Sequence, residues 1–208
     1  MKIKAINFNR IKIINQMSDR EVKGLIVLVA MFTAGIIFGA GMWRTDNLNN
    51  QITTNIINEF IVTRNVSSGF SLFINSLIFN MGFLIIIIMS GCSCIGSLFV
   101  FVMPLIRGVG YGIISGYLYS NFFMNGVGYY LLTIFPAAAL FNTIILLASN
   151  SACFLSLDIL AIVTGRKQTD ITLLRNTLKT VFIYIFILIA TSIIESVTIK
   201  AFAYLFKF

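Results

Sequence analysis

Histidine is absent from this 208-residue sequence, and so are the HExxH zinc motif and the GxSxG nucleophile elbow. Histidine is the commonest metal ligand and a frequent general base, so its absence removes the usual material for a zinc site or a catalytic triad. We therefore expect no catalytic residue, no bound metal and no cofactor. The sequence is interpreted as that of a protein that is not an enzyme.

Cysteine and charge are also sparse. Cys92, Cys94 and Cys153 fall in apolar segments and are odd in number, which argues against a disulfide framework. We expect buried thiols that behave as small apolar side chains. Charged residues make up 11% of the chain, against about 25% in an average soluble protein, which excludes an ordinary water-soluble domain.

Apolar residues are abundant instead, at 58% of the chain, and the mean hydropathy is +0.96. A membrane-spanning helix needs about 20 mostly apolar residues. The sequence predicts an all-α integral membrane protein, with a basic cytoplasmic leader over residues 1–23 and a single membrane domain over 24–208. The predicted spans cover residues 24–43, 70–90, 92–119, 126–165 and 180–199.

The net charge of +8 comes from two basic segments rather than from one patch. Six of the fifteen basic residues lie in the leader, and four more lie between Arg166 and Lys179. Lys and Arg concentrate on the cytoplasmic side of membrane proteins. This distribution predicts a multi-pass protein of the cell membrane with a cytoplasmic N-terminus and no nucleic-acid partner.

The same rule predicts how many times the chain crosses the membrane. If both basic segments are cytoplasmic, the apolar stretch from Gly91 to Gly165 crosses an even number of times. Two long crossings fit its length, which gives about five transmembrane helices; six is the alternative count. The stretch has two interruptions. One is Pro104 with Arg107 and the glycines, and the other is Pro136. They predict a broken or re-entrant hairpin over residues 104–136 that turns near residues 120–126.

The loop over residues 44–69 is the main polar segment outside the spans. Within it Ile52, Ile56, Ile57 and Phe60 recur at helical spacing, which predicts a short amphipathic helix. The loop is expected on the extracytoplasmic side. Its helix either rests on the lipid interface or offers a docking surface to a partner protein.

Glycines spaced four residues apart form a ridge in one predicted span and a shorter ridge in another. Such small-xxx-small ridges allow two helices to approach closely. The sequence leaves two interpretations open, packing within the chain or assembly of a homo-oligomer. The ridge residues are Gly108, Gly112 and Gly116, with Gly35 and Gly39 in the first span.

Three charged residues lie within or beside the apolar runs: Arg107, Asp158 and Glu195. Each would cost about 2.5–3.5 kcal/mol at a helix centre, so each should face a partner or water. We expect Asp158 near the cytosolic interface and an Arg107–Glu195 pair toward the outer side. A proton or ion pathway is the alternative interpretation.

The order of short motifs resembles the stage II sporulation protein M family across nearly the whole chain. The motifs are Gly35-Ile-Ile-Phe-Gly39, Phe70-Ser-Leu-Phe-Ile-Asn-Ser, Gly91-Cys-Ser-Cys-Ile-Gly96, Arg107-Gly108 leading into Gly112 and Gly116, Asn125-Gly126, Phe135-Pro136 and Ile194-Glu195. The sequence departs from the family pattern at Ser97–Leu98 and at Thr198-Ile199, where prolines are absent.

The resemblance implies a membrane scaffold of spore-forming bacteria that anchors and localises cell-wall hydrolases during engulfment. The implied partners are the stage II sporulation proteins D and P, together with membrane lipid. The alternative function is a permease-like subunit of a transporter, because broken helices around a buried arginine also occur at transporter substrate sites.

Overall fold

A computed structural model describes residues 19–44, 51–165 and 171–205 of the chain. Every element in these ranges is helical, which confirms the all-α prediction. The leader up to residue 18 lies outside the described residues. The helices are α1 (Asp19–Arg44), α2 (Gln51–Val66), α3 (Gly69–Gly91), α4 (Gly96–Tyr129), α5 (Phe135–Val163) and α6 (Ile171–Phe202), with a π-helical turn at Tyr130–Ile134 and a 3₁₀ turn at Ala203–Leu205.

Four helical segments of the described chain are long and apolar enough to cross a membrane. They are Arg20–Arg44, Gly69–Gly91, Gly96–Val163 and Lys179–Leu205. The third has 68 residues, far more than the roughly 20 that one crossing needs. The prediction of an integral membrane protein is therefore confirmed, while the count of five crossings stays a prediction.

The 68-residue segment is folded as a hairpin that reverses at Phe123. The backbone there has φ 47° and ψ −125°, whereas the rest of α4 is helical. After the reversal the chain returns along α4, so that a Cβ at Gly126 would collide with the carbonyl of Leu118. At the far end, the hydroxyl of Ser156 in α5 accepts a hydrogen bond from the N–H of Ser97 in α4 at 3.0 Å. The broken hairpin predicted for this region is present.

The two prolines affect the hairpin differently from the prediction. The expected interruption at Pro104, Arg107 and the glycines is wrong, because α4 keeps helical dihedrals through all of them and Pro104 is buried. This stretch packs closely against α1. The interruption expected at Pro136 takes the form of a π-helical turn that ends two residues before it. A proline lacks the N–H that would continue regular α-helical bonding.

Glycines bring α1 and α4 into backbone contact. A Cβ at Gly35 would collide with the carbonyl of Leu105, and one at Gly112 would collide with the carbonyl of Ile36. Gly39 and Gly108 make equivalent contacts. Only residues without a side chain allow such an approach, so the glycine ridges pack against each other within the chain.

Contacts between the helices identify the two ends of the bundle. At one end the amide of Asn150 donates to the carbonyl of Glu21 at 3.2 Å, and Ser151 and Tyr184 share a 3.2 Å hydrogen bond. The first turn of α1 therefore packs against the middle of α5, and we call the end of the bundle at which α1 begins and α5 ends the N-terminal end. The cytoplasmic location of both basic segments stays a prediction, because residues 1–18 and 166–170 lie outside the described residues. The opposite end, which we call the α2 end, carries α2 and the Phe123 turn.

Candidate functional site

Helix α2 lies across the α2 end of the bundle and is held by side chains of two other helices. Its Ile57 and Ile61 are buried, 7% and 2% exposed, in a cluster with Trp43, Tyr117 and Tyr129 among others. The Tyr117 hydroxyl donates to Asn58 at 3.1 Å and the Tyr129 hydroxyl donates to Asn65 at 2.9 Å. The amphipathic helix predicted in the 44–69 loop therefore exists, and it is packed onto the protein.

An ion pair ties α2 to α6. The Arg64 guanidinium donates to the Glu195 carboxylate, and both side chains are about one-sixth exposed, at 16% and 17%. The Ser76 hydroxyl of α3 donates to the second oxygen of the same carboxylate. The expected Arg107–Glu195 pair is wrong, because Glu195 pairs with Arg64 and Arg107 bonds Asn80 and Tyr111 instead.

Arg107 has a different environment, at mid-height of the bundle. One of its guanidinium nitrogens donates to Asn80 at 3.1 Å and to Tyr111 at 3.0 Å. Asn80 is 4% exposed and lies eleven residues from either end of α3, or about 16 Å from each. Four aromatic rings also surround the Arg107 guanidinium at 4.6–5.0 Å from their centroids: Phe79, Phe83, Tyr111 and Phe141.

These contacts explain how a cation is tolerated at this depth, where no described carboxylate is paired with it. Burying an arginine at a helix centre costs about 2.5–3.5 kcal/mol on insertion scales. Each cation–π contact returns about 0.5–2 kcal/mol, and charged hydrogen bonds about 1.5–3 kcal/mol. Within the described ranges the Nε atom of Arg107 is buried and has no hydrogen-bond partner.

A cavity of about 700 Å³ contains both arginines. It opens because α3 and α4 diverge. Near the turn that joins them, Leu84 and Ile87 of α3 pack with Val100 of α4. Farther on, α3 leans toward α6, where the Ser196 hydroxyl donates to the Gly69 carbonyl at 2.6 Å, whereas α4 leans toward α1.

We call this space the α3–α4 cavity. Arg107 and Asn80 lie where the two helices part, and α5 and α6 form the rear wall. Ile56 and Phe60 of α2 cover the α2 end. The remaining lining residues are mostly apolar; its charged residues are Arg64, Arg107, Glu195 and Glu59, of which Glu59 is exposed.

The candidate residues from the sequence lie in different parts of the structure. Of the expected docking residues, Ile56 and Phe60 line the cavity, Ile57 lies in the core, and the Ile52 side chain lies outside the description. Gly116 contacts Trp43 rather than a glycine. Asp158 lies near the N-terminal end of the bundle, five residues before the last residue of α5, and is remote from Arg107 and Glu195.

Several residues of the site were not singled out from the sequence. Arg64 lies in the polar 44–69 segment, and nothing in the pattern of that segment points to Glu195, 131 positions away. The i, i+4 spacings of Ser76 with Asn80 and of Arg107 with Tyr111 were the available signals, because such pairs share one helix face. Within the described ranges no cluster of three or more Cys, Asp or Glu residues could hold a metal ion.

Four long apolar segments that enclose polar side chains such as Asn80, Arg107 and Glu195 are typical of a multi-pass α-helical membrane protein. The model of the family "Stage II sporulation protein M" matches residues 28–198. The chain belongs to this family and is a sporulation-related membrane protein. The matched range runs from within α1 to the last turns of α6, so it includes both arginines and the glycine contact. No curated protein and no solved structure matches the chain.

Proposed function

We propose that the protein is a membrane scaffold that anchors and localises extracytoplasmic peptidoglycan-remodelling enzymes during engulfment. The partners we propose are wall hydrolases of the kind represented by the stage II sporulation proteins D and P. Family membership supports a role in sporulation, and the position of α2 supports a role in docking.

The observation that carries the proposal is that α2 is held in place while one of its faces stays open. Asn58, Arg64 and Asn65 bond the helix to α4 and α6, and its buried isoleucines fix its rotation. The opposite face exposes Val62 and Val66, at 55% and 78%. A rigid helix that presents exposed valines on its outer face loses little conformational entropy when a partner binds.

Co-purification from sporulating cells tests the scaffold. Tagged wild-type protein, cross-linked before extraction, should recover a wall hydrolase, and the Val62→Asp, Val66→Asp double variant should recover much less. Val163→Asp is the matched control, because Val163 is 69% exposed at the opposite end of the bundle. Recovery of no hydrolase by the wild type, or equal recovery by all three proteins, would contradict the proposal.

A permease-like transport subunit is the second candidate, and the α3–α4 cavity favours it. A cavity with a charged group at mid-height resembles the substrate sites of transporters. Toward the N-terminal end, however, the cavity is closed by the cluster of Leu84, Ile87, Val100 and Ile145. Solute flux in reconstituted liposomes that Arg107→Ala abolishes would favour transport over scaffolding.

A further inference from the structure

We propose that the α3–α4 cavity is a binding site for an anionic amphiphile, a molecule with a phosphate or carboxylate headgroup and a hydrocarbon body. The headgroup would bind Arg107, and the hydrocarbon would fill the apolar part of the cavity. This site is independent of the proposed scaffold role, because it uses the side of the bundle rather than the outer face of α2.

The size and the walls of the cavity fit such a ligand. Small-molecule sites commonly occupy about 300–1,000 Å³ and have apolar walls with a few polar groups. The α3–α4 cavity has about 700 Å³, and its walls carry phenylalanine, isoleucine, leucine and alanine side chains. A hydrocarbon chain is the natural complement to these walls.

The opening of the cavity lies toward lipid. Phe79 of α3 and Ile106 of α4 line it at mid-height and are 59% and 48% exposed. Gly110, one turn beyond Ile106, has no atom within 4 Å of the position of a Cβ. The mouth therefore lies between two apolar helices, where a ligand can enter sideways from the membrane.

Charge selects the headgroup. Glu195 is paired with Arg64, and Glu59 is exposed at the rim, so within the described ranges Arg107 has hydrogen bonds only to the neutral side chains of Asn80 and Tyr111. The four charged lining residues sum to zero, but the positive charge of Arg107 at mid-height is not paired with a carboxylate within the described ranges and lies beside apolar walls. Arginine binds phosphate and carboxylate through several parallel N–H groups, and such charged hydrogen bonds are stronger in a low dielectric.

The geometry favours an amphiphile over a transmembrane helix of another protein. A helix that crosses the bilayer is about 30 Å long and needs a groove open along its whole length. The α3–α4 cavity is covered by Ile56 and Phe60 at one end and is closed by the meeting of α3 and α4 at the other. A short closed space suits a flexible chain with one headgroup.

Native mass spectrometry of the purified full chain in maltoside micelles tests the site with three probes that share the oleoyl chain. These are lysophosphatidate, oleate and the neutral monoolein. The wild type should bind at least one anionic probe about 10- to 100-fold more tightly than monoolein, the factor that a charge-assisted hydrogen bond carries. Binding of both anionic probes would indicate a general anion site, and binding of lysophosphatidate alone would indicate a phosphate site.

Two variants locate the binding. Arg107→Gln should lose the preference for anionic probes, and Gly110→Leu should lose binding of all three, because its side chain would obstruct the mouth of the cavity. Gly41→Leu is the matched control, since a Cβ there also meets no atom within 4 Å but lies on α1 outside the cavity. Gly110→Leu keeps the test decisive if Arg107→Gln does not fold.

Three results would overturn the inference. Equal affinity of the wild type for monoolein and both anionic probes would show that Arg107 selects nothing. Undiminished binding by Gly110→Leu would place the ligand elsewhere. A wild-type dimer that binds no probe and that Gly110→Leu dissociates would show that the cavity is an interface between copies of the chain.

Discussion

The contact between α1 and α4 makes a quantitative prediction about two glycines on the same helix. Gly112 of α4 faces α1, and a Cβ there would collide with the carbonyl of Ile36 and lie 3.0 Å from the Cα of Gly39. Gly110, two residues earlier, has no neighbour within 4 Å of a Cβ. We expect Gly112→Ala to destabilise the protein relative to Gly110→Ala.

The comparison isolates packing because the two substitutions share every other effect. Replacing glycine by alanine inside a helix gains about 0.8–1 kcal/mol of helix propensity at either position. Forcing an extra methyl group into a tight contact costs about 1–3 kcal/mol, and here the opposing atoms are backbone and cannot rotate away. The two variants should therefore differ by about 1–3 kcal/mol in free energy of unfolding.

The protein contains its own reporter for this measurement. Trp43 is the only tryptophan, is 5% exposed, and lies against Gly116 beyond the glycine contact. Its indole N–H donates to the Ser120 hydroxyl at 2.7 Å, so separation of α1 from α4 should change its fluorescence. Reversible unfolding in maltoside micelles with increasing dodecyl sulfate gives the free energies.

A second matched pair lies on α1, where Gly39 faces the carbonyl of Val109 and Gly41 has no neighbour within 4 Å of a Cβ. Gly39→Ala should be the less stable of these two variants, by a similar margin. If Gly110→Ala is as destabilising as Gly112→Ala, and Gly41→Ala as destabilising as Gly39→Ala, the close contact of α1 with α4 does not exist as described.

Three further predictions concern the α2 end and the topology. A double-mutant cycle of Arg64→Leu and Glu195→Leu should show a coupling of about 0.5–3 kcal/mol in unfolding free energy, because the pair is largely buried, and additive single changes would disprove the pair. Phe123→Gly should stabilise the protein by about 1 kcal/mol in the same assay, because φ 47° is strained for a side chain that is 68% exposed; a loss of stability would contradict the turn. An alkaline phosphatase fusion after Phe123 should be active and one within residues 166–170 inactive, and activity in both would refute a cytoplasmic location for the second basic segment.

Several features followed from the sequence because they depend on local composition. The all-α membrane class follows from apolar runs longer than the bilayer requires, whatever the helices contact. The amphipathic helix before α3 follows from the spacing of its isoleucines, and the hairpin follows from a stretch too long for one crossing. The basic leader and the Arg166–Lys179 segment are likewise read directly from the order of residues.

The pairing of the intramembrane charges could be decided only by the tertiary structure. Glu195 lies 131 residues from Arg64 and 88 residues from Arg107. The free-energy cost of burying a charge requires a partner for Glu195, but either arginine could be that partner. The choice depends on how α3, α4 and α6 are rotated about their own axes and on where α2 rests. Those rotations are set by packing among side chains from distant segments, and the composition of one segment does not contain them.

The glycine ridges show the same division. Four-residue spacing in α1 and α4 determined that each helix has a face able to approach another closely. Only the fold decided that the two faces meet each other rather than a second subunit, and that Gly110, in the same sequence stretch, instead borders a cavity. A sequence determines which surfaces a helix carries. The partner of each surface depends on the whole bundle, because several helices could pack against the same surface.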